Sequence, residues 1–190
     1  MDILEIIKGR RSVRSYEETK VEKEKIEKIM EAGLWAPSAH NHQSWSFVVI
    51  ENKDIIEELN VDTKNVMKNY KIEQFRKWGE NEKFNIFYNS PVVILVLYDE
   101  NGLVPMQDIS VASQNMLLTA HTLGLGTCWI GMVSIGFSDE SMQQKYKEKQ
   151  TTKDKEIVRE TPILEDKEIE KNTKSILFDD FIRFLILSLG

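Results

Sequence analysis

The run VVILVLY at residues 92–98, opened by Pro91, constrains this chain more than any other stretch. Seven β-branched, aliphatic and aromatic residues without a polar interruption predict a strand set in a hydrophobic core. WSFVVI at 45–50 predicts a second buried strand, entered from the polar segment PSAHNHQS at 37–44. Helical patterns surround both strands. Ile3, Leu4 and Ile7 have helical spacing and stop at Gly9. Thr19 followed by Glu22 reads as a capping box, with Ile26, Ile29, Met30 and Gly33 on one face of a helix that ends near Ala36, before Pro37. Residues 53–89 read as mostly helical, with Phe75, Trp78, Phe84, Phe87 and Tyr88 as scattered anchors and no assignable function.

Asp108 is expected to open a long helix carrying Ile109, Ala112, Met116, Ala120 and Leu123 on one stripe, whose small residues suit close packing. Gly124 and Gly126 end it before a short strand in TCWIG. From Asp139 the chain turns strongly charged, with a helix through KYKEKQTTKDKEIVRE and a last strand at TPIL. This order predicts an α+β fold, an α/β/α sandwich around one central mixed sheet. A length of 190 residues suits a single domain over 1–190, with a divergent C-terminal arm from about 150.

Charge narrows the function classes. With 25 basic and 31 acidic residues the net charge is -6, which argues against a nucleic-acid partner. The single cysteine, Cys128, excludes an intrachain disulfide, and MDILEIIKGR lacks the regions of a secretory signal, so a cytoplasmic location is expected. The apolar stretch from Ile176 to Leu189 is broken by Asp179, Asp180 and Arg183 and is too short for an ordinary membrane span, so no membrane partner is expected. His40 and His42 lie in a polar loop without further histidines nearby, so no metal is expected.

Three segments could carry chemistry. RRSVR places Arg10, Arg11, Ser12 and Arg14 together in an otherwise acidic chain, and guanidinium forks grip phosphate in a bidentate way. A solvated basic turn is the plain alternative. In APSAHNHQSW, the polar groups around Ser38, Asn41 and Gln43 could meet a flat heterocycle, or the loop could simply satisfy its own backbone. GLGTCWIG, residues 124–131, has three glycines that let backbone approach a ligand, but lacks the spacing of a dinucleotide fingerprint. Cys128 has no evident base partner and reads as a small buried hydrophobe.

In combination, RRSVR, EAGLWAPSAHNHQSW, SPVVILV and QDISVASQNMLLTAHTLGLGTCWIG resemble the nitroreductase family over most of residues 1–140. The resemblance implies an α+β homodimer with intertwined termini and two FMN sites, each built from both subunits. Carried over, Arg10, Ser12 and Arg14 would bind the FMN phosphate, ribityl chain and pyrimidine edge, with Arg11 alongside. Pro37, Ser38 and Asn41 would come from the other subunit. Trp129, Ile130 and Gly131 would line the isoalloxazine. No side chain need act as a catalyst, because the flavin performs the redox chemistry. NADH or NADPH would donate electrons, and a small organic acceptor such as a nitroaromatic or quinone would take them in ping-pong order. A flavin-binding dimer without turnover, a sensor or store, is the alternative from another class.

Two departures from the family pattern stand out. Ser44 occupies a place where proline is common. After DKEIV the family usually has a strand ending in Leu-Gly-Tyr-Pro and then a basic pair near the phosphate, whereas TPIL is followed by Glu165 and Asp166. Lys171 and Lys174 are the nearest basic residues, and Lys174 is the phosphate candidate. The added acids would lower FMN affinity or send the segment along another path. The terminal FDDFIRFLILSL is expected to pack on the partner subunit.

Overall fold

The computed structural model describes residues 2–99, 101–151 and 184–190. In chain order the helices are α1 (Ile3–Gly9), α2 (Lys23–Leu34), α3 (Lys53–Met67), α4 (Glu73–Glu80), α5 (Pro105–Thr122), α6 (Val133–Gly136) and α7 (Glu140–Thr151). The strands are β1 (Trp45–Ile50), β2 (Val92–Tyr98), β3 (Thr127–Ile130) and β4 (Phe184–Leu189). A single 3-10 turn, Ala39–Asn41, precedes β1.

The strands form one sheet in the order β1-β2-β4-β3, and every ladder in it is antiparallel. Among the described residues the expected parallel component is a bridge between Ser12 and Thr127, which sets the RRSVR segment beside β3. All seven residues of β2 are buried, as the uninterrupted apolar run requires of a strand covered on both faces. Helix α5 crosses the sheet in contact with all four strands and is backed by α2, while α6 joins α3 to the sheet at β4. Gly33 allows the α2–α5 approach: a Cβ there would lie 2.8 Å from Phe47 Cζ and 3.0 Å from Met116.

Several boundaries differ from the sequence expectation. The capping box belongs to α1, between Asp2 and Glu5, and α2 begins only at Lys23, after the Thr19–Glu22 pattern. Helix α5 begins at Pro105, where proline suits the first helical turn because its missing N–H would have no partner there. Helix α7 is described through Thr151, and the rest of the expected charged helix, TPIL, Lys171 and Lys174 lie outside the described residues.

The largest correction concerns the end of the chain. Phe184–Leu189 is not an arm laid on a partner but a central strand of this chain's own sheet, with Leu187 opposite Ile94 on β2 and opposite Trp129 on β3. The reason is topological. The crossover through α5 leaves β2 and β3 parallel with one strand position between them, and an unfilled position would leave two rows of backbone groups unpaired. Antiparallel β4 fills it, and the Leu-Gly that the resemblance places after the last strand stands at Leu189 and Gly190. Gly190 then exchanges backbone hydrogen bonds with Gly126 (2.7 and 3.2 Å).

Candidate active site

The RRSVR segment is held in extended form beside β3. Val13 N–H donates to Thr127 O (2.8 Å), and the Val13 side chain packs on Gly126, where a Cβ would come within 2.9 Å of it. Alternation along this segment separates the arginines. Arg10 and Arg14 both act on the Cys128 thiol, whereas Arg11 donates to the Lys8 and Arg10 carbonyls of its own turn. With Val13, His121 and Leu125, both Arg10 and Arg11 border a cavity of about 320 Å³ between the end of α1 and the Gly124–Gly126 turn. Among the described residues none of these three arginines pairs with a carboxylate, in a chain with an excess of acids.

Cys128, 2% exposed, lies beneath this surface. Burial pushes its thiol pKa up, while Arg14 and Arg10 pull it down. The Cys128 sulfur and the Tyr88 phenol in turn raise the pKa of Arg14, whose guanidinium carbon stands 5.9 Å from the Tyr88 ring centroid. Tyr16 closes the group, its phenol donating to Val13 O (2.7 Å) and its pKa raised chiefly by burial. Cys128 is thus a packed thiol under a cationic surface, as its lack of a base partner suggested.

Toward the far end of β3 the outward face that Ser12 covers at Thr127 becomes open. Ile130 is buried, Trp129 is 39% exposed, and a Cβ placed on Gly131 would meet nothing within 4 Å. A flat ring could therefore approach the backbone at 129–131.

The segment 37–44 is built differently. His40, Asn41 and Gln43 have φ of 51, 54 and 47°, and left-handed backbone costs a non-glycine residue about 1–2 kcal/mol. The loop offsets this with internal bonds: Gln43 N–H donates to Ser38 Oγ (2.9 Å) and the Gln43 amide donates to Asn41 Oδ1 (3.2 Å). A buried carboxylate at the start of α5 completes the anchoring, since Asp108 accepts from Ala39 N–H and from Ser44 Oγ, each at 3.1 Å. Ser44, standing where proline is common, is thus a structural tie. Sequence reading missed the role of Asp108, because its partners lie 69 and 64 residues away. It also read Tyr88 only as an aromatic anchor and missed its contact with Arg14.

One chain does not bring the two halves of the predicted site together. Trp45 pairs at the Tyr98 end of β2, whereas Thr127 lies level with Val92 at the other end and three strand positions away. The separation is about 20 Å along the strands and about 14 Å across them. Helix α5 gives an independent measure: Asp108 holds the 37–44 loop and His121 faces Gly9, thirteen residues or about 20 Å of helix apart. Ser12, bridged to Thr127, thus lies with its neighbours Arg10 and Arg14 at the Val92 end, remote from Pro37, Ser38 and Asn41, whereas Trp129 and Ile130, level with Ile94 and Leu95, are set off from that loop chiefly across the strands.

Comparison with known proteins agrees with this architecture. The Nitroreductase family model matches residues 7–154. A Methanothermobacter thermautotrophicus protein provisionally named NADH dehydrogenase/NAD(P)H nitroreductase is 38% identical over 136 residues, 70% of this chain and 62% of that protein. The chain thus spans less than two thirds of that relative's length. The crystal structure of a Bacteroides fragilis nitroreductase with bound FMN superposes with a TM-score of 0.80 at 25% identity, covering 100% of this chain and 88% of the other. A Desulfitobacterium hafniense nitroreductase with bound FMN shares the fold, with a TM-score of 0.77 at 20% identity and coverage of 100% and 89%. With most of its length matched by the family model and an ordered set of motifs on a matching fold, the chain belongs to the nitroreductase family.

Proposed function

We propose that this protein is an FMN-dependent oxidoreductase that passes electrons from NADH or NADPH to a small organic acceptor, such as a nitroaromatic or quinone, in ping-pong order and as a homodimer. One observation carries the reading. Arginines without carboxylate partners among the described residues lie on an extended segment bridged to a strand whose far end leaves the backbone at Gly131 open. This donor set suits a cofactor with a phosphate at one end and a flat, carbonyl-bearing ring at the other.

In this reading Arg10 and Ser12 hold the phosphate and ribityl chain, and Arg14 meets the pyrimidine edge. Arg11 adds positive charge nearby, and Lys174 extends the phosphate site. Trp129, Ile130 and Gly131 line the ring. Pro37, Ser38 and Asn41 of the partner subunit complete the site, because this chain's own copies are too far from Arg14 to serve it. Exposed apolar side chains support a second copy: Ile3, Leu4 and Ile7 on α1, with Trp35 at 69% and Leu103 at 64% exposure. Bound FMN would supply the electron transfer itself, accepting a pair from the nicotinamide and releasing it to the acceptor. The protein's share is orientation, positive charge at the pyrimidine edge and a face open to one substrate at a time.

The test is a visible spectrum of the purified protein before and after denaturation, with the released cofactor identified by chromatography. FMN at about one per chain, with retention lowered in Arg14→Ala and in Asn41→Ala, is the expected result. A colourless protein that takes up no added FMN would overturn the reading. FMN binding without NAD(P)H oxidation in the presence of a quinone would leave a flavin-binding dimer without turnover.

A further inference from the structure

Residues 81–90 follow α4 as a knot of turns pinned from several sides. The Lys64 ammonium donates to the carbonyls of Asn81 (2.8 Å) and Phe84 (2.9 Å), and buried Asn60 accepts from Ile86 N–H (2.9 Å). The Asn85 side chain accepts from Phe87 N–H (2.9 Å) and Asn89 N–H (3.3 Å), and its backbone carbonyl takes Tyr88 N–H (3.1 Å). Ser90 Oγ accepts from Leu189 N–H (3.0 Å), tying the knot to β4.

Within this cage Tyr88 and Asn89 take φ of 55 and 57°. Asparagine tolerates left-handed backbone, but a bulky aromatic residue rarely adopts it, and such a conformation persists only where its surroundings impose it. The imposed backbone decides where the ring goes. It stands edge-on to Phe84, with centroids 6.3 Å apart, and 5.9 Å from the Arg14 guanidinium. Phe84 continues through Trp78 and Phe75 to Tyr70, each ring centroid less than 6 Å from the next, so the Tyr88 ring is buttressed from behind.

Arg14 needs such a buttress. It is exposed and has no carboxylate partner among the described residues, so a free arginine here would sample many rotamers and binding would have to freeze one. We propose that Tyr88 is a positioning residue for Arg14, its strained backbone holding the ring under the guanidinium so that the arginine is already aimed when the flavin arrives. The proposal rests on the flavin reading above. It assigns the conformation at residue 88 a purpose beyond packing: preorganising the cation that would meet the pyrimidine edge.

A double-mutant cycle tests it, with two readouts: the FMN dissociation constant from fluorescence titration of the apoprotein, and the midpoint potential of the bound FMN. Tyr88→Leu removes the ring and should weaken FMN binding about tenfold, within the range of an arginine–ring contact, while Tyr88→Phe keeps the ring and should stay within about threefold of the wild type. In an Arg14→Ala background, Tyr88→Leu should change the constant by less than about twofold, because the two residues act as one unit. The potential should fall in Tyr88→Leu and in Arg14→Ala, and no further in the double variant, since both withdraw the same positive charge from the ring that gains electrons. Thermal melting of each apoprotein separates these effects from unfolding, and Tyr88→Met replaces the leucine variant if that does not fold. Effects that multiply, a Tyr88→Phe variant as weak as Tyr88→Leu, or an unchanged potential would overturn the role of Tyr88 and leave the flavin reading standing. A wild-type protein that binds no FMN would overturn both.

Discussion

Replacing Asp108 with alanine tests whether a single buried carboxylate organises the 37–44 loop. Asp108 is 3% exposed and Ser44 5%, so removing the acceptor strands the Ser44 hydroxyl and the partly buried Ala39 N–H. A hydrogen bond to a charged group contributes about 1.5–3 kcal/mol, so two give about 3–6 kcal/mol. Position in the first turn of α5 adds about 0.3–1 kcal/mol through the helix dipole. Against this, alanine relieves the desolvation of a buried charge, and water can reach Ala39, so a net loss of about 3 kcal/mol is expected. For a domain of this size that corresponds to a fall in Tm of about 6–12 °C. Asp108→Asn keeps one carbonyl acceptor, and the Ser44 hydroxyl can turn to accept from the new amide, so its cost should be about 1 kcal/mol. Thermal unfolding followed by circular dichroism, with FMN retention measured in parallel, gives both readouts. An alanine variant melting within about 2 °C of the wild type would refute the assignment of Asp108 as the loop's anchor.

If the site is shared between two copies, co-expressing Arg14→Ala with Asn41→Ala should restore FMN to about half the sites of the mixed dimer, since one site then receives both native residues. Absence of restoration in isolated mixed dimers would place Arg14 and Asn41 in the same site from the same chain. Stability should fall as pH rises above about 9. Cys128, Tyr16 and Tyr146 have pKa values raised on folding, all three mainly by burial, from ordinary values of 9.0 and 10.0. The unfolded chain therefore loses these protons first, binds fewer than the native state, and gains from further alkalinity. A flat melting profile from pH 8 to 11 would contradict this. Gly33→Val should cost about 1–3 kcal/mol in urea unfolding, because the added atoms meet Phe47 and Met116 where α2 and α5 touch. The Cys128 thiol should react with a disulfide reagent only after denaturation.

Local signals were reliable where the cause was local. The apolar runs of β1 and β2, the spacing of α1 and α2 and the glycines after α5 were all readable, because burial alternation and backbone freedom act within a few residues. Asp108 and Tyr88 were not readable. The first works through partners 64 and 69 residues away, and the second depends on a backbone conformation imposed by Lys64, Asn60 and Asn85.

The sequence by itself determined the composition of the core, the family and the three segments from which a cofactor site could be assembled. Hydrophobic period, charge and glycine placement express themselves over short spans, so no long-range contact was needed to read them. Only the tertiary structure decided the order of the strands. It sent Phe184–Leu189 into the gap between β2 and β3, where unpaired backbone on both sides makes a central position more favourable than an arm on another molecule. It also set the RRSVR and PSAHN segments at opposite ends of one sheet. Strand spacing and helix length, which no local pattern encodes, keep this chain's own Asn41 out of reach of its Arg14.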